Sequence, residues 1–257
     1  MKPTPKSQSK PSARKGVQHG SGLPKLLAFG AHPDDIEFGC GGVVARETRA
    51  GRAVVFVVCS RGEAASNGTV AERTAEAERA AKKLEATIQF LDLGGDAHFE
   101  VKVEHTIKLA RVLRQVRPGL VLAPSLAPNQ HPDHPRLGQL VRDATRLARY
   151  GGVKELRALP PHTIEQLFYY AVTPEAEPTD LARVLVDVSA PEVMAAWTAA
   201  MQAHASQGRT RNYVELQLTR ARLNGLRAGI GHAIPVFPND SLVIDSLAVL
   251  GRGARTF

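Results

Sequence analysis

Two short strings hold residues whose types and spacing could do chemistry. Ala31-His32-Pro33-Asp34-Asp35 ends one apolar run, and His131-Pro132-Asp133-His134 follows another about a hundred residues later. His32 and Asp35 are three apart, as are His131 and His134, and residues at that spacing in a helical turn point to one side. Two imidazoles and a carboxylate, as in His32, Asp35 and His134, make one complete ligand set for a divalent ion with an open position for water. Such an ion brings the pKa of water toward about 7. Asp34 is then left over as a general base. His131 remains as an imidazolium partner for an oxyanion or a leaving amine, and Asp133 as the acid that orients it. Metal, base and oxyanion partner together read as an amide hydrolase.

Each string has an ordinary reading when taken alone. Paired histidines often form a solvated helix face, and an Asp-Asp pair before a helix is commonly an N-cap. Neither accounts for two His/Asp clusters that both follow apolar strands. His19, His98, His105 and His162 have no comparable setting, and surface or loop roles are expected for them.

The elements that must position these residues alternate in type. Leu26–Gly30, Ala53–Cys59, Ile88–Leu93 and Leu120–Ala123 are short apolar runs that read as buried parallel strands. Between them, Ile36–Arg49, Val70–Leu84, Ile107–Val116 and Leu137–Ala148 read as helices. Ile107, Ala110, Leu113 and Val116 are expected along one face. Leu167–Val172 and Val184–Val188 add two strands, and Pro191–Ala205 and Tyr213–Gly229 two helices. A last strand is expected at Val236–Phe237 or Leu242–Ile244. Gly94–Glu100 and Tyr150–Pro161 read as loops. The alternation predicts a doubly wound, mostly parallel sheet in three layers and one domain. In such a sheet ligands lie beyond the carboxyl ends of the strands at a switch in strand order, so both strings belong on one rim.

The 257 residues carry a net charge of +8. Six of those charges come from residues 1–25, which hold Lys2, Lys6, Lys10, Arg14, Lys15 and Lys25 and no acid. A Pro-, Ser- and Lys-rich segment of that kind cannot bury a core, so residues 1–24 are expected to be a disordered basic tail ahead of a domain at 25–257. No aromatic residue interleaves with its charges, so no nucleic-acid partner is expected. No apolar run is long enough for a membrane span. The N-terminus lacks the apolar stretch of a secretory signal, and a cytoplasmic protein is expected. Cys40 and Cys59 read as buried free thiols.

These residues resemble the LmbE/PIG-L family of zinc-dependent N-deacetylases, which remove acetyl from N-acetylglucosamine conjugates. The two strings stand where that family has its His-Pro-Asp-Asp and His-x-x-His motifs. The likeness runs from about Leu26 to Phe237. It is supported by Gly39-Cys40-Gly41-Gly42, Arg61-Gly62-Glu63, Ser66-Asn67-Gly68-Thr69 with Arg73, and His204-Ala205-Ser206-Gln207. The resemblance implies a Rossmann-like fold, with His32, Asp35 and His134 as ligands of Zn2+ (Fe2+ or another divalent ion being the alternative), Asp34 as general base and His131 as electrostatic partner. It puts Arg73, Asn67 and Gln130 on the substrate side and implies an N-acetyl sugar substrate and a possible homo-oligomer. Among subgroups the chain looks most like the bacillithiol-type deacetylases that act on N-acetylglucosaminyl malate. It departs from them at Ile234, where they carry a carboxylate, and at Gln130, where they often carry Arg. Three other readings are open: a deacetylase of another N-acyl substrate such as a glycolipid or antibiotic sugar, a two-His-one-carboxylate Fe(II) oxygenase, since the ligands are the same, and a nucleotide-binding protein using Gly39–Gly42, although that spacing is not Gly-x-Gly-x-x-Gly.

Overall fold

A computed structural model describes residues 23–128, 131–209, 211–250 and 253. The basic tail expected at residues 1–24 lies outside them except for Leu23 and Pro24. Gln130 also lies outside them.

The chain opens with β1 (Leu26–Gly30), α1 (Asp35–Arg49), β2 (Val54–Val58), α2 (Val70–Lys83) and β3 (Thr87–Phe90). It then crosses through α3 (Val103–Val116) to β4 (Leu120–Pro124), α4 (Asp133–Arg149) and β5 (Gln166–Tyr170). The remainder is β6 (Val184–Asp187), α5 (Pro191–Gln202), α6 (Tyr213–Arg227) and β7 (Ala233–Pro238). The strands form one sheet in the order β3-β2-β1-β4-β5-β7-β6. β3, β2, β1, β4 and β5 run parallel, and β7 is antiparallel to both β5 and β6.

Successive strand residues point to opposite faces, and the core divides accordingly. Leu26, Ala28 and Phe56 pack with residues of α1, α2, α5 and α6, whereas Leu27, Phe29 and Val57 pack with residues of α3 and α4. Helices on both faces of one sheet make the expected three layers. α2 has strong local cause to form: Thr69 and Glu72 close a reciprocal capping box at its start, and Ala, Glu, Lys and Arg fill it.

The structure departs from the sequence reading at several points. The final strand is Ala233–Pro238, and residues 242–244 form no strand. α4 starts at Asp133, so His134 lies in its first turn. α5 ends at Gln202, which leaves His204–Gln207 outside any α-helix. α3 begins four residues early, and its buried stripe runs through Thr106, Leu109, Ala110 and Leu113, with Ile107 and Val116 only partly covered. A strict three-residue spacing drifts around a helix of 3.6 residues per turn, so 107 and 116 fall away from the centre of the face. His105 is buried, against the expectation of a surface role. The loop after α4 is tied down by Arg114, which is buried and donates to the carbonyls of Ala148, Leu156, Leu159, Leu147 and Tyr150.

β1 lies between β2 and β4. Its following helix packs on one face of the sheet and the helix after β4 packs on the other. The strand order therefore reverses between β1 and β4, and the carboxyl ends of these two strands flank the crevice where the two strings meet.

Candidate metal centre

β1 ends at Gly30, and the chain turns through residues 31–34 into α1. Asp34 holds the N-cap position of that helix with φ 111° and makes no capping hydrogen bond with its side chain. A left-handed backbone at a non-glycine residue is strained. Here it turns the carboxylate away from the helix and toward Arg73, whose Nη2 lies 3.3 Å from Asp34 Oδ2 and donates to the Pro33 carbonyl at 2.8 Å. Asp35 does not cap either. Its Oδ2 accepts from the backbone N–H groups of Ala31 and His32 at 2.8 and 2.9 Å. This locks the carboxylate inside the turn and leaves Oδ1 3.0 Å from His134 Nε2.

His32 Nδ1 stands 3.5 Å from Asp35 Oδ2. His32, Asp35 and His134 are all buried, and one donor atom from each lies within 4.8 Å of the others. Corners of a tetrahedron around a zinc ion with bonds of about 2.0–2.2 Å are roughly 3.3–3.6 Å apart. The contacts of 3.5 and 3.0 Å run to different oxygens of Asp35 and are of that order, and the two-imidazole, one-carboxylate set, with one donor atom from each residue inside 4.8 Å, is compatible with a divalent cation. Burial disfavours charge on His32 and on Asp35, but their neighbours override it. Asp35, with help from Asp133 and Asp96, raises the His32 pKa well above its ordinary value. His134 and His32 hold Asp35 well below the carboxylate range.

The other ring nitrogen of His32 identifies a residue the sequence reading passed over. Nε2 lies 3.0 Å from Asp96 Oδ1 and 3.5 Å from Asp133 Oδ2. Asp96 is buried, and its backbone N–H donates to Glu63. Carboxylates behind a ligating histidine fix its tautomer and orientation. Asp96 follows the carboxyl end of β3, so the strand-end rule that located the two strings points to it as well. A second overlapping donor group, His32, Asp96, His131 and Asp133, arises from the same proximity.

Asp133 differs from its expected role. Its Oδ2 accepts from the Ala97 backbone N–H at 2.7 Å and faces His32, while its own backbone N–H donates to His131 Nδ1 at 3.3 Å. The main chain, not the carboxylate, thus holds the His131 ring, and its proton is left on Nε2. Burial, with His32 and His134 nearby, lowers the His131 pKa. These contacts favour an N–H donor at Nε2, which lies 3.6 Å from Asp96 Oδ1, over the imidazolium anticipated. Asp34 is pushed up to about 6 by burial and by Asp35, against the pull of Arg73, His204 and His32.

The donor groups open onto a cleft of about 730 Å3 that is also lined by Asn67, Arg73, Thr173, Tyr213 and Gln217. That size suits a small organic ligand. Arg73, expected to meet substrate, does line it, but its Nη2 is committed to Pro33 and Asp34. Ile234, the departure from the bacillithiol-type pattern, lies in the core, where its side chain fits the space left by Gly42. Gly39 and Gly41 have comparable reasons. A Cβ on either would strike the Tyr170 or Trp197 ring at 2.3 and 2.7 Å. The glycines admit aromatic rings against α1, which removes the ground for a nucleotide loop. Cys40 and Cys59 are buried free thiols as expected, with pKa values raised by burial.

Fold and site define an α/β protein with a buried His/Asp cluster, compatible with a metal ion, at the switch point of its sheet. Residues 27–145 match the family described as PIG-L, GlcNAc-PI de-N-acetylase. The diacetylchitobiose deacetylase of Thermococcus kodakarensis is 30% identical over 199 residues, 72% of this chain and 70% of that protein. The 4-oxalmesaconate hydratase of Pseudomonas putida is 32% identical over 162 residues, 54% of this chain and 62% of that protein. The crystal structure of a conserved protein from Thermus thermophilus superposes with a TM-score of 0.77 at 31% identity, covering 86% of this chain and 97% of that one. The chain belongs to the PIG-L/LmbE family of deacetylases.

Proposed function

We propose that the protein is a metal-dependent amide hydrolase that removes the acetyl group from an N-acetylated amino sugar. The observation that carries this reading is the convergence of His32, Asp35 and His134, with Asp34 and His131 beside them, at the floor of one cleft. His32, Asp35 and His134 would hold a divalent ion, with zinc the first choice, and such an ion when bound would supply Lewis acidity toward water and an acyl carbonyl. Asp34 takes the proton of the attacking water and passes it to the departing amine. Its pKa of about 6 leaves it ionised at neutral pH yet able to hold a proton transiently. His131 Nε2–H donates to the carbonyl oxygen as negative charge develops there. Arg73 keeps Asp34 turned toward the reacting atoms.

An amino sugar is favoured because the matched family is described by its action on GlcNAc-PI and one relative acts on diacetylchitobiose. The finer assignment to N-acetylglucosaminyl malate, within bacillithiol synthesis, draws on the subgroup likeness alone. Ile234 removes the acid that subgroup carries. The hydratase relative favours a second reading, since an activated water and a carboxylate base also suit addition of water to a double bond.

The test is a screen of the metal-loaded protein against N,N'-diacetylchitobiose, N-acetylglucosamine and N-acetylglucosaminyl malate for free amine and acetate, with 4-oxalmesaconate alongside. Acetate release without oxygen uptake is the expected result. Oxygen consumption would instead indicate an oxygenase. Hydration of the unsaturated acid with no amine from any sugar would indicate a hydratase.

A further inference from the structure

The string His204-Ala205-Ser206-Gln207 supplies no donor, base or oxyanion partner above, although His204 acts on Asp34 at a distance and Gln207 lines the cleft. It follows α5 and lies outside any α-helix. His204 and Ser206 are buried. His204 Nε2 stands 3.4 Å from Glu37 Oε1, and both side chains are almost wholly covered. Glu37 sits in the first turn of α1, two residues after Asp35. The Ser206 backbone N–H and its hydroxyl donate to the two carboxylate oxygens of Glu76, at 2.8 and 2.6 Å. Glu76 lies in α2 three residues after Arg73, the side chain that holds Asp34. Gln207 Nε2 donates to the Asn67 carbonyl at 2.9 Å and to Ser206 Oγ at 3.0 Å. Gly68 packs so close to Ser206 that a Cβ there would meet the serine Cβ at 2.8 Å.

We propose that His204, Ser206 and Gln207 are positioning residues that clamp three separate pieces of the cleft together: the α1 turn bearing Asp34, the α2 segment bearing Arg73, and the 66–68 loop that walls the substrate side. The inference rests on the deacetylase reading for its kinetic consequences but not for its structural ones. Each contact falls on a different part of the site, so the clamp has separable effects. His204 bears on the base, through Glu37 and α1. Ser206 and Gln207 bear on the binding wall, through Glu76 and Asn67. A plain core role would give instead a uniform loss of stability.

Hydrogen exchange and kinetics on the metal-loaded full chain distinguish the two. Ser206→Ala and Gln207→Met each remove donors with little change of shape. They are expected to speed amide exchange at residues 62–69 by about three- to tenfold, the worth of one net hydrogen bond, while helices on the opposite face keep their protection. KM on the substrate found in the screen rises by a similar factor, with kcat within about twofold. His204→Leu is expected to lower kcat about tenfold with KM and metal content unchanged, and His204→Gln, which keeps a donor near the Nε2 position, recovers part of it. Unchanged exchange at 62–69 in both wall variants overturns the proposal. So does a loss of protection spread evenly over the chain with a lower melting temperature. If the parent protein turns over none of the sugars, the deacetylase reading fails, and the exchange data still decide the clamp.

Discussion

Asp34 and Asp35 are adjacent and chemically identical, yet their surroundings give them opposite work. Asp35 is clasped by two backbone N–H groups and faced by two histidines, so it stays charged and fixed. Asp34 sits on a strained residue with one arginine partner and a pKa near that of a general base. His134→Ala is therefore expected to lose most of the bound metal. Asp34→Asn keeps the metal and loses about 10²–10⁴ in kcat; equal metal loss in both would refute the division of roles. Asp96→Asn, which weakens the support of His32, should lower metal affinity about 10- to 100-fold by competition with a chelator. The pH dependence follows in sign. Burial and Asp35 raise the Asp34 pKa to about 6, so the base is ionised above that value. Activity falls as pH drops through it, with the charge of a bound ion drawing this limb lower. Arg73→Met removes a group that lowers the Asp34 pKa, so the limb in a kcat/KM profile moves upward. At this scale the meeting of His32, Asp35 and His134 was legible in the sequence because His, Asp and Pro cluster at strand ends. Asp96 was not, because a lone Asp among glycines resembles any loop. The orientation of Asp133 was not either, since only coordinates tell a side-chain contact from a main-chain one.

At the level of elements, the tolerances are set by packing around α1. Gly39→Ala forces a Cβ into the buried Tyr170 ring, whose hydroxyl donates to the Phe29 carbonyl of β1 at 2.7 Å. Overpacking of this kind costs about 1–3 kcal/mol, readable as a shift in denaturation midpoint. Arg114→Met should cost at least as much, because several buried carbonyls lose a charged donor. An unchanged midpoint in either variant would show that the local structure relaxes freely. The strands and most helices were legible because their apolar runs and good helix formers agree with the final layers. The ends were not. Pro132 and Pro135 do favour a helix entry, and α4 does start at Asp133, but the apolar periodicity begins only at Leu137. The end of α5 rests on the contacts of His204 and Ser206 with α1 and α2, a tertiary effect that periodicity does not carry.

For the whole molecule, the reversal of strand order between β1 and β4 is what turns two distant strings into one centre. That convergence followed from the β-α alternation, and the coordinates place the donor atoms together. The basic excess concentrated in residues 1–25 lies apart from this arrangement in sequence. Removal of residues 1–22 is expected to leave kcat/KM within about twofold, since, among the described residues, those gathered at the cleft all come from later in the chain; a large loss would mean that the segment completes the cleft. Among the described residues no helix is long and apolar enough to cross a membrane.

The central claim is that His32, Asp35 and His134 hold one divalent ion. Anomalous diffraction at the zinc edge, from crystals grown with the metal, tests it most directly. The account predicts a single strong peak within about 2.0–2.2 Å of one donor atom from each of the three residues. A peak that engages other side chains and leaves His134 unligated, or no peak in the cleft at saturating zinc, would contradict it.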